Sequence, residues 1–215
     1  MSAHTFFGMF TIANRAACLM AASATVLLAT PSLGQQSTSS GDGTVVTANI
    51  SDSCRSGFLE LIANAQGSGP SPNAPSAQTT AQANVIIFGQ NFCMGVGFFV
   101  QGVGPIQLSA THDANNTKLP KSITASGQFP SSDGSDTIIL QTTMAAFGLP
   151  FQDVVTEQRT LPLNPPVTVY SHSDSNSSNA SGSLTVSTQN LGPLPLANIS
   201  GSVGNFKVMS VNVTH

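Results

Sequence analysis

The chain has 215 residues, 40% of them apolar, which is enough for one β domain or two very small ones and too apolar for a disordered tail. Only 7% of the residues are Asp, Glu, Lys or Arg, against roughly 25% in an ordinary soluble domain. That scarcity excludes the basic stripe of a nucleic-acid binder, the flanking charges of a coiled coil and the charged outer faces of a helical bundle.

Hydroxyls take the place of charge, with 29 Ser and 21 Thr beside 19 Gly, 13 Pro and no Trp. At the N-terminus, residues 1–34 read as an export signal peptide. Arg15 precedes an apolar stretch at 16–29, and the small residues Ser32 and Gly34 stand three and one positions before a cut at Gln35. The stretch is 14 residues long, short of the roughly 20 a spanning helix needs, so no membrane span is expected after cleavage. The expected location is secreted or cell-surface, periplasmic or outer-surface in a bacterium. What remains carries 5 basic and 9 acidic residues, a mild negative balance that selects no partner.

Two cysteines follow the signal, Cys54 and Cys93. In an oxidising compartment such a pair is most simply a disulfide, with two buried thiols as the alternative. Closing that loop is worth about 4 kcal/mol in loop-closure entropy. Neither cysteine lies in a Cys-x-x-Cys pair or near a histidine in sequence, so neither reads as catalytic or zinc-binding. Six N-x-S/T sequons make Asn49, Asn115, Asn176, Asn179, Asn198 and Asn212 candidate glycosylation sites, used only if the source pathway glycosylates.

Residues 35–44 are polar and glycine-bearing and read as a flexible leader; a single β domain is expected over 45–215. A weak alternation at 45–50 predicts a first strand, 57–65 has a short helical flavour, and 66–83 is a Pro/Ser-rich loop by composition. Strands are predicted at 84–89, 95–104, 105–112, 121–129, 137–142, 166–172, 182–188 and 205–213. The glycines inside 95–104 call for bulges or close backbone approach. Residues 143–151 read as a helical turn or apolar loop, the Ser/Asn-rich segment after His172 as a loop, and a parity slip near Met209 as a bulge. The fold class is therefore all-β, an antiparallel sandwich or barrel of about eight to ten short strands.

Candidate chemistry is thin. G-x-S-x-G, H-E-x-x-H, the P-loop and G-x-G-x-x-G are absent, and no catalytic, cofactor or metal residue is assigned. His112 followed by Asp113 is the most chemical-looking pair, on the parity of Ile106 and Leu108; its plainer reading is a strand-end ring bonded to a backbone carbonyl. Tyr170 and His172 share a strand face and make a second low-grade polar candidate. The segment 133–136, Asp-Gly-Ser-Asp, has oxygen donors for calcium but is first of all turn chemistry. The nine phenylalanines after the signal lie in apolar contexts that read as core, and with one Tyr and no Trp this weakens a sugar-stacking reading.

The leading functional expectation is a non-enzymatic extracellular β protein with a structural or interaction role. It would self-associate, or bind a surface or wall partner, through sheet edges that lack the usual charged gatekeepers. One alternative is a secreted hydrolase or isomerase-like β-barrel enzyme using carboxylates with His112 or His172. Another is a binder of small apolar ligands or carbohydrate, favoured if Phe88, Phe98 and Ile139 line a cavity.

Overall fold

The computed structural model describes residues 36–69, 78–113, 116–163 and 166–214. The signal segment and Asn115 lie outside them. In chain order the strands are β1 (Gln36–Ser51), β2 (Arg55–Gly69), β3 (Gln78–Asn91), β4 (Val96–Pro105), β5 (Gln107–Asp113), β6 (Asn116–Pro130), β7 (Thr137–Leu161), β8 (Val167–Thr188), β9 (Gly192–Pro193) and β10 (Leu196–Thr214). All ten belong to one antiparallel sheet, ordered β4-β3-β2-β1-β10-β8-β7-β6-β5, with β9 on β8. No helix occurs among the described residues, so none is long and apolar enough to cross a membrane.

The sheet folds over its own inner face. Its terminal strands, β4 and β5, are consecutive and separated by Ile106 alone, whose N–H donates to Ala81 O at 3.1 Å. One bent segment thus leaves the β3 edge and joins the β6 edge. Inward residues at period two fill the interior: Val46, Ala48 and Ile50 from β1, Leu59, Leu61 and Ala63 from β2, and Val85 and Ile87 from β3. Opposite them stand Ile123, Phe129, Ile138, Leu140, Met144 and Val203. Two of the three glycines of β4, Gly102 and Gly104, act by close approach. A Cβ on Gly104 would collide with the Phe129 side chain, and one on Gly102 would meet Ile138 Cδ1 at 2.6 Å.

Several strands are long where short ones were expected: β7 has 25 residues and β8 has 22. Residues 36–44, expected as a leader, form the first half of β1, paired with β10 on one side and β2 on the other. The segment of helical flavour, 57–65, lies in β2. Of the expected loop 66–83, residues 66–69 extend β2, 78–83 open β3, and 70–77 lie outside the described residues. The Ser/Asn-rich stretch after His172 is interior strand, because β8 is paired on both sides by β7 and β10 and backbone bonds hold it without apolar side chains. The segment 143–151 continues β7 to a register break between Phe147 and Phe151, with Gly148 at φ 81°. No bulge occurs at Met209. There β10 runs in unbroken register with β8, and Val208 through Val213 are half-buried at every position, so a parity change costs nothing.

The two ends of the molecule differ. At the braced end Cys54 and Cys93 form the disulfide (Cα–Cα 5.1 Å), tying the β1–β2 turn to the β3–β4 turn, and Phe92 N–H donates to Cys54 O at 2.7 Å. The other end gathers the starts of β1, β3, β6 and β8 and the close of β7 and β10.

Candidate functional site

The polar groups gather in three places. At the braced end Asp52 Oδ1 accepts from Cys54 N–H (2.8 Å) and Arg55 N–H (2.6 Å), and Arg55 Nε donates to Asp52 Oδ2 at 2.9 Å. These bonds, the Cys54 N–H foremost, hold the Asp52 carboxyl below the usual range. Arg55 also donates to Leu191 O and Pro193 O, so the cluster fastens the β1–β2 turn to the loop around β9. In the β6–β7 turn, Asp133 accepts from Ser131 Oγ (2.6 Å), Ser135 N–H (3.1 Å) and Ser135 Oγ (2.8 Å). The Ser131 hydroxyl is the largest cause of its pKa falling to about 2. Asp136, only 4% exposed, accepts from Thr137 N–H and Asn190 N–H through Oδ1. The Asp-Gly-Ser-Asp segment is turn chemistry spent on the fold, with Gly134 at φ 71°. Among the described residues no group of three or more His, Cys, Asp or Glu side chains is placed to hold a metal ion.

His112 forms the second cluster. It is solvent-accessible beside a register break between β5 and β6, and its Nε2 lies 3.2 Å from Asp42 Oδ1 of β1, in place of the backbone carbonyl expected. The irregularity skips Lys121 of β6, so His112 keeps the parity of Ile106 and Leu108, opposite the buried Pro120, and Asp42 has the parity of the buried Thr44 and Val46. Asp113 turns away to Lys121 Nζ at 3.4 Å. His112 and Asp113 are thus two separate pairs, one reaching β1, which is not a sheet neighbour of β5, and one joining β5 to the adjacent β6. The partner Asp42 was missed because residues 35–44 show no periodic signal.

The third cluster lies on the shared face of β7 and β8. His172 Nδ1 is 3.1 Å from Thr156 Oγ1, and the exposed Tyr170 stands opposite Gln158. A hydroxyl beside an imidazole is the start of a nucleophile–base pair, but the base needs an orienting group and a sheltered cleft. The nearest carboxylate along β8, Asp174, accepts instead from Gln152 and Asn176, and Thr156 and His172 are both exposed.

An open groove of about 1020 Å³ runs between Pro105–Ile106–Gln107, β6, β7, β8 and the segment around Leu194. Ile139 lines it; Phe88 and Phe98 do not, so the three do not share a cavity. Its walls are apolar, hydroxyl and amide groups with no ionisable side chain, and none of the three clusters opens into it.

The sequence reading of phenylalanine as core needs correction. Phe129 and Phe206 are buried, but Phe88, Phe92, Phe99, Phe147 and Phe151 are exposed. Period two explains it: with Ile87, Phe98 and Val100 turned inward, Phe88 and Phe99 must point out. They stand opposite each other on β3 and β4, and Phe88 packs on Phe58 of β2 with ring centroids 5.7 Å apart. Met94 and Val96 extend this outward apolar area around the β3–β4 turn.

Comparison with protein-family models, with curated proteins and with solved structures found no match.

Of the sequon asparagines, Asn49, Asn179 and Asn198 are exposed, while Asn176 and Asn212 are half-buried. Asn176 Nδ2 already donates to Asp174 and Asn205, so a glycan there would cost bonds that the exposed three would not.

Besides the outer edges of the terminal strands β4 and β5, the sheet is open along the second half of β7. β6 pairs with β7 only from Thr137 to Ala145, and beyond the register break residues 151–161 pair with β8 alone among the described residues. Phe151 is 60% exposed, Val154 51% and Val155 42%. Apolar side chains therefore project from both faces of a strand whose outer backbone groups lack a described partner.

Proposed function

We propose that this chain is an exported, non-enzymatic β protein with a structural or interaction role at the cell surface or in the extracellular matrix, as an adhesion or assembly component. The observation that carries the reading is the open β7 edge at residues 151–161, with Phe151, Val154 and Val155 exposed along it. Such an edge offers a ladder of backbone donors and acceptors to an added strand. The outward row of Phe58, Phe88 and Phe99 supplies a second apolar contact surface. The clusters around His112, His172 and Asp133 hold strands and turns together, a use of polar groups that leaves no assembled catalytic set. Export accords with the pattern of residues 1–34 and with the disulfide.

The test is size-exclusion chromatography with mass detection on the chain from Gln35 onward, over a wide concentration range. The reading expects mass to rise with concentration as strands add. A strictly monomeric species at the solubility limit would count against it.

A further inference from the structure

The open edge carries a pattern that names its occupant, and the argument rests on the interaction reading above. Residues 151–161 are bounded by Pro150 and Pro162, neither of which has an N–H to give a ladder. They run Phe-Gln-Asp-Val-Val-Thr-Glu-Gln-Arg-Thr-Leu, with Thr156 at the centre. When two copies of one edge strand pair about a twofold axis normal to the sheet, residues of equal parity face each other and their numbers have a constant sum. With the axis at Thr156, Phe151 faces Leu161 of the second copy, Asp153 faces Arg159, Val154 faces Gln158, and Pro150 meets Pro162 where the ladder must stop.

This register is singled out by charge and paired length together. Moving the axis to Val155 sets Asp153 against Glu157 twice, and moving it to Glu157 sets that residue against itself; like charges directly opposite are unfavourable. Moving it to Val154 runs the ladder into the break at 147–151 and Pro150, and moving it to Gln158 sets Glu157 against Arg159 twice but shortens the paired segment. Only the axis at Thr156 uses the whole free segment and makes two Asp153–Arg159 pairs. Nine of the eleven positions are exposed; Asp153 and Leu161 are half-buried, Asp153 at the position facing the exposed Arg159. The ladder would be about 35 Å long, with roughly ten backbone hydrogen bonds.

We infer that the second half of β7 is a homodimerisation edge, on which a second copy of this chain adds antiparallel about Thr156, held in register by reciprocal Asp153–Arg159 pairs. The pairing would continue the sheet from one copy into the next and present both Phe151–Leu161 contacts at the rim.

The experiment is a charge swap read by sedimentation velocity on the full chain after the signal. Asp153→Arg alone places Arg against Arg159 at both ends of the ladder, and Arg159→Asp alone places Asp against Asp153. Each is expected to weaken dimerisation by about tenfold, with monomer unfolding unchanged because both side chains stand on the surface. Mixing the two variants restores opposite charges at both ends, so a heterodimer of wild-type strength is expected. Wild-type dimerisation that persists in both single variants, or a mixture no tighter than its components, overturns this interface while leaving assembly by another edge intact. A wild-type chain that never dimerises overturns both this inference and the interaction reading.

Discussion

Asp133 shows how the few charges of this chain are used. Its carboxylate takes three bonds from Ser131 and Ser135 in the β6–β7 turn, and its pKa falls to about 2 from an ordinary 3.8. A carboxyl whose folded pKa is depressed contributes stability that is complete above the unfolded pKa and is lost as pH falls through the folded one. The thermal stability gap between the wild type and Asp133→Asn should therefore hold from neutral pH to about pH 4 and close as the pH falls toward 2. A carboxyl carbon titration by NMR checks it, with a midpoint near 2 for Asp133; a midpoint near 3.8 would mean that the serine bonds are not made in solution. The turn itself was legible from Asp-Gly-Ser-Asp. The bond between His112 and Asp42 was not, because it joins residues 70 apart in the sequence and one of them lies in a stretch with no periodic signal.

At the scale of the element, β4 owes its place to glycine. Gly102 and Gly104 occupy inward positions where a side chain would strike Ile138 and Phe129, and that close approach lets the bent β4–β5 segment close the sheet. Gly104→Ala adds a methyl against Phe129 near its own backbone, where no flexible side-chain end can yield. Overpacking of this kind costs about 1–3 kcal/mol, so equilibrium denaturation should show a loss of that size. Gly95→Ala tests a different cost, because Gly95 has open space around its Cβ but a φ of 69°. An unchanged stability for Gly104→Ala would contradict the packing of β4 on β6.

How far each strand was legible follows from what it packs against. β3 and β4 showed in the sequence as apolar runs, because the outward Ile86, Phe88 and Phe99 are apolar like the inward Val85, Ile87, Phe98 and Val100. In β2 the inward Leu59, Leu61 and Ala63 were masked by apolar residues of the other parity, Phe58 and Ile62, so the segment looked helical. In β1 and β8 the outer halves have no apolar face to announce them. Residues 36–44 and 171–183 are ordered by backbone pairing on both sides, a long-range cause that composition does not record. The same physics hid the edge at 151–161, since exposed Val and Phe in sequence look like core until the missing neighbour is seen.

For the whole molecule, Asp42, Asp52, Arg55, Asp113, Lys121, Asp133 and Asp136 fasten turns or cross between strands, while Asp153, Glu157 and Arg159 stand on β7 beside hydroxyls, amides and outward apolar side chains. The braced end carries the disulfide and the Asp52, Arg55, Asp133 and Asp136 bonds, while the half of β7 that pairs with β8 alone among the described residues runs toward the opposite end. This polarity suits a unit that is anchored within itself at one end and adds a strand toward the other. The central claim is that the β7 edge is the working surface of the protein. Hydrogen–deuterium exchange of the unmodified chain, compared at dilute and concentrated protein, tests it directly. The account predicts that amides within 151–161 whose N–H groups point away from β8 gain protection as concentration rises, while the turn at 131–136 does not change; exchange in 151–161 that is the same at every concentration would contradict it.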